Sequence, residues 1–197
     1  LFRFYAPEAK TFQIRPDYGD LQPNGSVPMM GHIYDCERTK NGVWEFTLPW
    51  DGYKTGHRHV DVFVDGVQVV WPHLPVAWSA SQLRNYVEVP DPDQEFAYVY
   101  DVPHGTVCQN LYWSKATNRL ERCVVYTPPG YMKDDKEYPT LYLLHGGDEN
   151  ETVWTACHRV NTIMDNLIAQ GECVPFIVVM NNGMVRYADT PTDRDWR

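Results

Sequence analysis

Three features of this 197-residue sequence predict two domains, a small antiparallel β-sandwich followed by an α/β unit with a parallel sheet. Residues 1–86 hold strand-length runs broken by turn dipeptides, with almost no helical periodicity. Residues 87–95, Val-Glu-Val-Pro-Asp-Pro-Asp-Gln-Glu, are rich in proline and acid and read as a linker, because proline supports neither helix nor ladder hydrogen bonding. Residues 96–197 then place a short apolar run, an amphipathic helix and a second apolar run in succession.

In the first domain, strands are predicted at Leu1 to Tyr5, Thr11 to Arg15, Gly42 to Leu48 and His59 to Val64. The breaks carry Asn24-Gly25, Asn41-Gly42, Asp51-Gly52 and Asp65-Gly66, residue pairs that supply the positive φ angles of tight turns. Strands at this spacing point to a sandwich. In the second domain, Val107 to Ser114 and Arg119 to Tyr126 form a hairpin around Lys115 to Asn118. Thr140 to Leu144 reads as a strand buried on both faces. A helix fits 159–170, where Val160, Ile163, Met164, Leu167 and Ile168 share one face and Gly171 supplies a stop. Phe176 to Met180 is another apolar strand, so strand, helix, strand implies a right-handed crossover and parallel pairing.

Composition narrows the function. An apolar fraction of 43% with 14% aromatics belongs to a folded chain. A net charge of -9 disfavours nucleic acid and anionic membrane surfaces as partners. The apolar runs are strand-sized and too short to span a bilayer. The chain opens inside a predicted strand without Met, so a longer precursor is expected. Five cysteines, Cys36, Cys108, Cys123, Cys157 and Cys173, fit neither a disulfide scaffold nor a zinc knuckle. Cys108 and Cys123 could face each other across the hairpin; free buried thiols are the default reading.

The segment from Tyr138 through Leu144, His145-Gly146-Gly147-Asp148 and on to Trp154 resembles esterases of carbohydrate esterase family 1 and the related enterochelin esterases. Arg122 to Tyr126 with Thr-Pro-Pro-Gly130-Tyr131, Arg159 to Gly171, and Val178 to Gly183 continue the likeness in order. The resemblance implies the N-terminal half of an α/β-hydrolase over 96–197. An ester under attack develops an oxyanion, which needs preorganised donors. In such folds one main-chain N–H comes from the loop after the third strand. The resemblance puts that loop at His145, Gly146, Gly147 and Asp148. Relatives often carry glycine where this chain has Asp148. Trp154, Asn181 and Asn182 are carried over as candidate substrate contacts, with core packing for Trp154 and loop hydrogen bonding for the asparagines as the alternatives.

The family's nucleophile sits in a G-x-S-x-G elbow, with its acid and histidine later. Ser26, Ser79, Ser81 and Ser114 are the serines of this chain, and none has that setting. No catalytic residue is therefore assigned, the triad is expected outside these 197 residues, and the chain alone is expected to be inactive. A structural role is expected for the ring of His145.

Phe2 to Phe12 and Asn41 to Pro49, with Val60 to Val67, resemble the immunoglobulin-like domain of family 48 carbohydrate-binding modules over about residues 1–80. Trp50, Trp71 and Trp78, with Tyr53, are candidate sugar platforms, although a sandwich this small also needs aromatics for its core. Trp44 reads as core or interface. His57 and His59 share a strand face and, with His73, could be imagined around a metal. Without a third placed ligand they read as packed or solvated, and no metal or organic cofactor is expected.

The resemblance implies a secreted or periplasmic serine ester hydrolase acting on feruloyl or acetyl esters of a plant polysaccharide such as xylan. An enterochelin-type trilactone esterase is the close variant. A non-catalytic carbohydrate-binding or scaffold protein derived from such an esterase is the alternative from another class, and a split enzyme completed by a second chain is a third. A parallel sheet stopped after its first strands leaves an apolar edge. Self-association, or association with a missing C-terminal half, is therefore expected.

Overall fold

A computed structural model describes residues 1–17, 31–48 and 55–184. Trp50, Tyr53 and the predicted turns Asn24-Gly25 and Asp51-Gly52 lie outside the described residues. The chain divides into two compact units, one of Leu1–Ala77 with Leu83–Asp93, the other of Trp78–Gln82 with Gln94–Arg197.

The first unit is built on two sheets. One orders β1 (Phe2–Tyr5), β5 (Val43–Phe46) and β4 (Glu37–Arg38), all antiparallel. The other runs β3 (Tyr34–Asp35), β2 (Phe12–Pro16), β6 (Gly56–Val64), β9 (Gln82–Val89), β8 (Val76–Ser79), with β7 (Val67–Val69) also paired to β6. Phe4 and Trp44 from the first sheet and Phe12, Ile14, Val60 and Val62 from the second share one buried apolar cluster. The β6–β7 turn is the predicted Asp65-Gly66, with φ of 50° and 79°. Both residues are left-handed, as a two-residue hairpin loop requires.

Alternation along β6 sends Val60 and Val62 to the core and Asp61 to the opposite face. There Asp61, its side chain fully buried, accepts from Arg15 Nη2 at 2.7 Å and from Arg84 Nε at 2.7 Å. Arg84 also reaches Asp17 at 2.9 Å. His59 is buried beside this group, its Nδ1 3.4 Å from the Asn85 carbonyl. Burial lowers its pKa from 6.5, an effect that nearby Asp17 opposes and Arg84 reinforces. The ring of His57 lies 4.7 Å from that of His59 and 4.1 Å from that of Tyr86.

The second unit carries a sheet ordered β10 (Thr106–Ser114), β11 (Arg119–Thr127), β13 (Ile177–Asn181), β12 (Thr140–Tyr142). β10 and β11 form the predicted antiparallel hairpin, and β12 and β13 pair in parallel. Between the last two run α1 (Val153–Ala156) and α2 (Val160–Gln170). Gly171 has φ of 75°, its N–H meets the Ile168 carbonyl and that of Glu172 meets Leu167, a Schellman closure. Val160, Met164 and Ile168 of α2 pack on Val124, Tyr126, Val178 and Met180. The hairpin register pairs Cys108 with Val125 and Cys123 with Asn110, so the two cysteines are not directly opposite. All five thiols are free. Burial first, then the adjacent Asp35, pushes the Cys36 thiol up to about 12.

Several features depart from the sequence expectation. β12, expected to be buried on both faces, is exposed along its length. Cys108, expected to be a buried thiol, is exposed. Val87 to Val89, read as the start of the linker, belong to β9, because Gly56 and His57 pair with Val89 and Glu88. Helix α2 also buries a second, polar face: Asp165 is 3% exposed and Asn166 0%. Asn166 Nδ2 donates to the carbonyls of Phe96 and Tyr98, both at 2.7 Å, which fastens the segment leading into β10.

Candidate active-site loop

The His145 to Asp148 segment follows β12 directly, and its shape is set by side chains as much as by backbone. Leu143 N–H still joins the Val179 carbonyl at 2.9 Å, and the chain then leaves the sheet. His145 Nε2 accepts the Gly183 N–H at 2.9 Å, so its Nδ1 carries the proton and donates to the Gly146 carbonyl at 2.7 Å. One neutral tautomer satisfies both bonds, and the ring ties the loop to the segment after β13.

Gly146 N–H donates to Glu149 Oε2 at 3.0 Å. A side chain grown on Gly147 would meet nothing within 4 Å, so open space lies beside it among the described residues. Asp148 has φ of 61°, in the left-handed region. Glycine enters that region freely and aspartate is among the few side chains that tolerate it. Asp148 is held by Ser81, whose N–H donates to the Asp148 carbonyl at 2.8 Å and whose Oγ donates to Oδ1 at 3.0 Å.

Beyond the loop, Glu151 is 2% exposed and accepts from Arg122 Nη2 at 2.9 Å and Asn182 Nδ2 at 3.1 Å. Asn182 Oδ1 in turn accepts the Met184 N–H at 3.0 Å. Asn181 Nδ2 donates to Tyr112 Oη at 2.9 Å. Both asparagines thus serve local hydrogen bonding, and the strand end they occupy is joined to the loop through His145 and Glu151. Burial first, then Glu151, raises the Cys123 thiol pKa. Trp154 packs against the cluster of Val124, Tyr126 and Met164, its ring 5.1 Å from that of His158.

Of the candidate sugar platforms, Trp71 and Trp78 lie among the described residues. Trp71 meets Phe4 and Phe12 edge-on, with centroids at 5.6 and 5.3 Å, at the margin of the first unit's core. Its N–H and carbonyl are both held by the buried Asn85 side chain. Trp78 is half-buried at the end of β8. A cleft of about 330 Å³ in the first unit is lined by Phe2, Arg3, Phe4, Leu74, Val87 and Glu88 among others.

The sequence reading passed over Asp165. Its carboxylate accepts from His104 Nδ1 at 2.9 Å, from Gly105 N–H at 2.8 Å and from Tyr126 Oη at 2.7 Å. Burial first, then the Asp165 hydrogen bond, raises the Tyr126 pKa and keeps the phenol a donor. A His–Asp pair would be half of a hydrolytic triad, but here it joins α2, β11 and the approach to β10. The only signal in sequence is an acid adjoining the apolar stripe of α2.

A parallel β12–β13 pair, crossover helices and a glycine loop at the end of β12 make an α/β unit. Residues 114–197 match the family described as "Putative esterase". The chain is 36% identical over 190 residues to an endo-1,4-beta-xylanase/feruloyl esterase of Xylanibacter ruminicola, covering 93% of this chain and 24% of that protein. It is 34% identical over 112 residues to endo-1,4-beta-xylanase Y of Acetivibrio thermocellus, covering 54% of this chain and 10% of that protein. The chain thus spans a quarter or less of these relatives' lengths. The enterobactin esterase of Shigella flexneri shares its fold, with a TM-score of 0.57 at 14% identity over 94% of this chain and 51% of that one. Among the described residues, no helix is long and apolar enough to cross a membrane.

Proposed function

We propose that this chain is the N-terminal portion of a serine carboxylic-ester hydrolase that removes feruloyl or acetyl groups from a plant polysaccharide such as xylan. The observation that carries this is the 36% identity to a xylanase/feruloyl esterase, which extends over 93% of the chain. The loop His145 to Asp148 contributes a main-chain N–H to the oxyanion hole, and Gly147, beside open space, is the residue a substrate oxygen can approach. The nucleophilic serine, its histidine and its acid are supplied by residues outside this sequence, through an acyl-enzyme intermediate that water resolves. No metal or organic cofactor takes part.

The first unit is an immunoglobulin-like module of the family 48 carbohydrate-binding type, and a polysaccharide substrate places the protein outside the cytoplasm. Tyr142 on edge strand β12 and Leu144 just beyond it are 70% and 63% exposed. That edge is where a C-terminal half, or a second copy, would cover apolar surface.

The experiment is an intact-mass measurement paired with hydrolysis of p-nitrophenyl acetate and methyl ferulate on the same sample. Turnover by a protein well above 22.9 kDa is the expected result. A full-length protein that hydrolyses neither ester but is retained on insoluble xylan would replace this reading with a binding module. Cleavage of a catecholate trilactone in preference to methyl ferulate would move it to the enterochelin type.

A further inference from the structure

We propose that Ser81 is a positioning residue for the ester-binding loop and acts through Asp148; this rests on the loop reading given under Proposed function. Ser81 lies in the two-residue turn between β8 and β9, where Ala80 has φ of 50° and Ser81 φ of 61°. A turn of this hand favours Asn-Gly or Gly-Gly, and neither residue here is of that kind. Asp148 is the third non-glycine residue in left-handed backbone at this contact, with φ of 61°. Such a conformation is disfavoured for a residue with a side chain. It persists where the surroundings over-determine it, and residues of this kind gather at functional sites.

Among the contacts that hold Asp148 are two hydrogen bonds from one residue. The Ser81 amide holds the Asp148 carbonyl at 2.8 Å and the Ser81 hydroxyl holds its carboxylate at 3.0 Å, so backbone and side chain of Asp148 are fixed together. On the other side of Gly147, the Gly146 amide is bound to Glu149 and its carbonyl to His145. Gly147 therefore sits between two clamped residues, with open space beside it. An oxyanion donor is effective only if it is oriented before the charge develops. With glycine at 148 the left-handed bend would form freely; aspartate enters it less readily, and the Ser81 contact holds it there. Asp148 and the Ser81 clamp thus act together on the bend.

The test compares full-length wild type, Ser81→Ala, Ser81→Asn, Asp148→Gly and the Ser81→Ala/Asp148→Gly double variant. Each is assayed with methyl ferulate, and deuterium uptake is followed in the peptide spanning 145–152. Ser81→Ala is expected to lower kcat about three- to tenfold with KM within about twofold, the effect of a displaced donor. Ser81→Asn, which keeps a side-chain donor and tolerates the left-handed backbone, recovers most of the loss. In the Asp148→Gly background the same Ser81→Ala change leaves kcat within about twofold of its parent, since glycine holds the bend itself. Unchanged kcat in Ser81→Ala, or an equal loss in both backgrounds, overturns the proposal. A wild type inert towards carboxylic esters removes the esterase reading, and deuterium uptake then decides the positioning role. Faster uptake at 145–152 in Ser81→Ala supports it, and unchanged uptake overturns it.

Discussion

Tyr126 and Asp165, on β11 and α2, are joined by a hydrogen bond of 2.7 Å from the phenol to a carboxylate that is 3% exposed. The bond couples the sheet to the helix packed on it. Tyr126→Phe deletes only the hydroxyl and leaves the Asp165 carboxylate with His104 and Gly105 as donors. A hydrogen bond to a buried charged group contributes about 1.5–3 kcal/mol, so a loss of that size is expected in urea unfolding. A change below about 0.5 kcal/mol would show that the pair does not couple the two elements.

Gly105 is required for space. A Cβ there would fall against the Thr127 carbonyl oxygen and the Tyr126 ring. The first of these is backbone within a paired strand and cannot yield cheaply. Gly105→Ala is expected to destabilise by about 2–3 kcal/mol, the range of overpacked sites. Wild-type stability in this variant would mean that the β10–β11 pairing relaxes at its end.

The paired charges of the first unit are a point of vulnerability. Arg84 bonds both Asp61 and Asp17, and Asp61 has no exposed side-chain surface. Arg84→Ala leaves buried carboxylate with, among the described residues, only Arg15 as ionic partner, and a loss of about 3 kcal/mol is expected. Arg84→Met in the Asp61→Leu background removes both charges and should recover much of it. Equal losses in the single and double variants would show that packing, and not the unpaired charge, carries the cost.

Stability of the first unit should fall in mild acid. The pKa of buried His59 lies below its unfolded value of 6.5. Between the two values the unfolded chain binds a proton that the folded chain refuses, so stability rises with pH across that window. It is complete above about 6.5 and is lost as pH falls from there towards the folded pKa. His59→Gln is expected to flatten the pH dependence of the urea midpoint between about pH 7 and pH 5. The same slope in both proteins would assign it to other groups.

The features legible in the amino-acid order are those that repeat locally. The helix predicted at 159–170 is Val160–Gln170, because an apolar stripe and a glycine stop are written within one stretch of chain. The hairpin predicted at 107–114 and 119–126 is Thr106–Ser114 with Arg119–Thr127 for the same reason. The His145 to Asp148 loop was legible as a motif, its glycines standing at the end of an apolar strand. What joins distant residues was not. β9 runs into the proline-rich stretch because a partner more than thirty positions earlier pairs with it. The burial of Asp61, Arg84, Asp165 and Glu151 follows from hydrogen-bond partners brought in by other parts of the chain, and a charged residue in sequence looks the same whether it meets water or an ion-pair partner. Ser81, without a turn glycine or motif to mark it, acquires its place at Asp148 only when two segments 67 residues apart meet. The sequence by itself determined the β10–β11 hairpin, helix α2 and the apolar strands on either side of it. Tertiary structure alone decided how the His145 to Asp148 loop is held, because hydrogen bonds across such separations have no local signature.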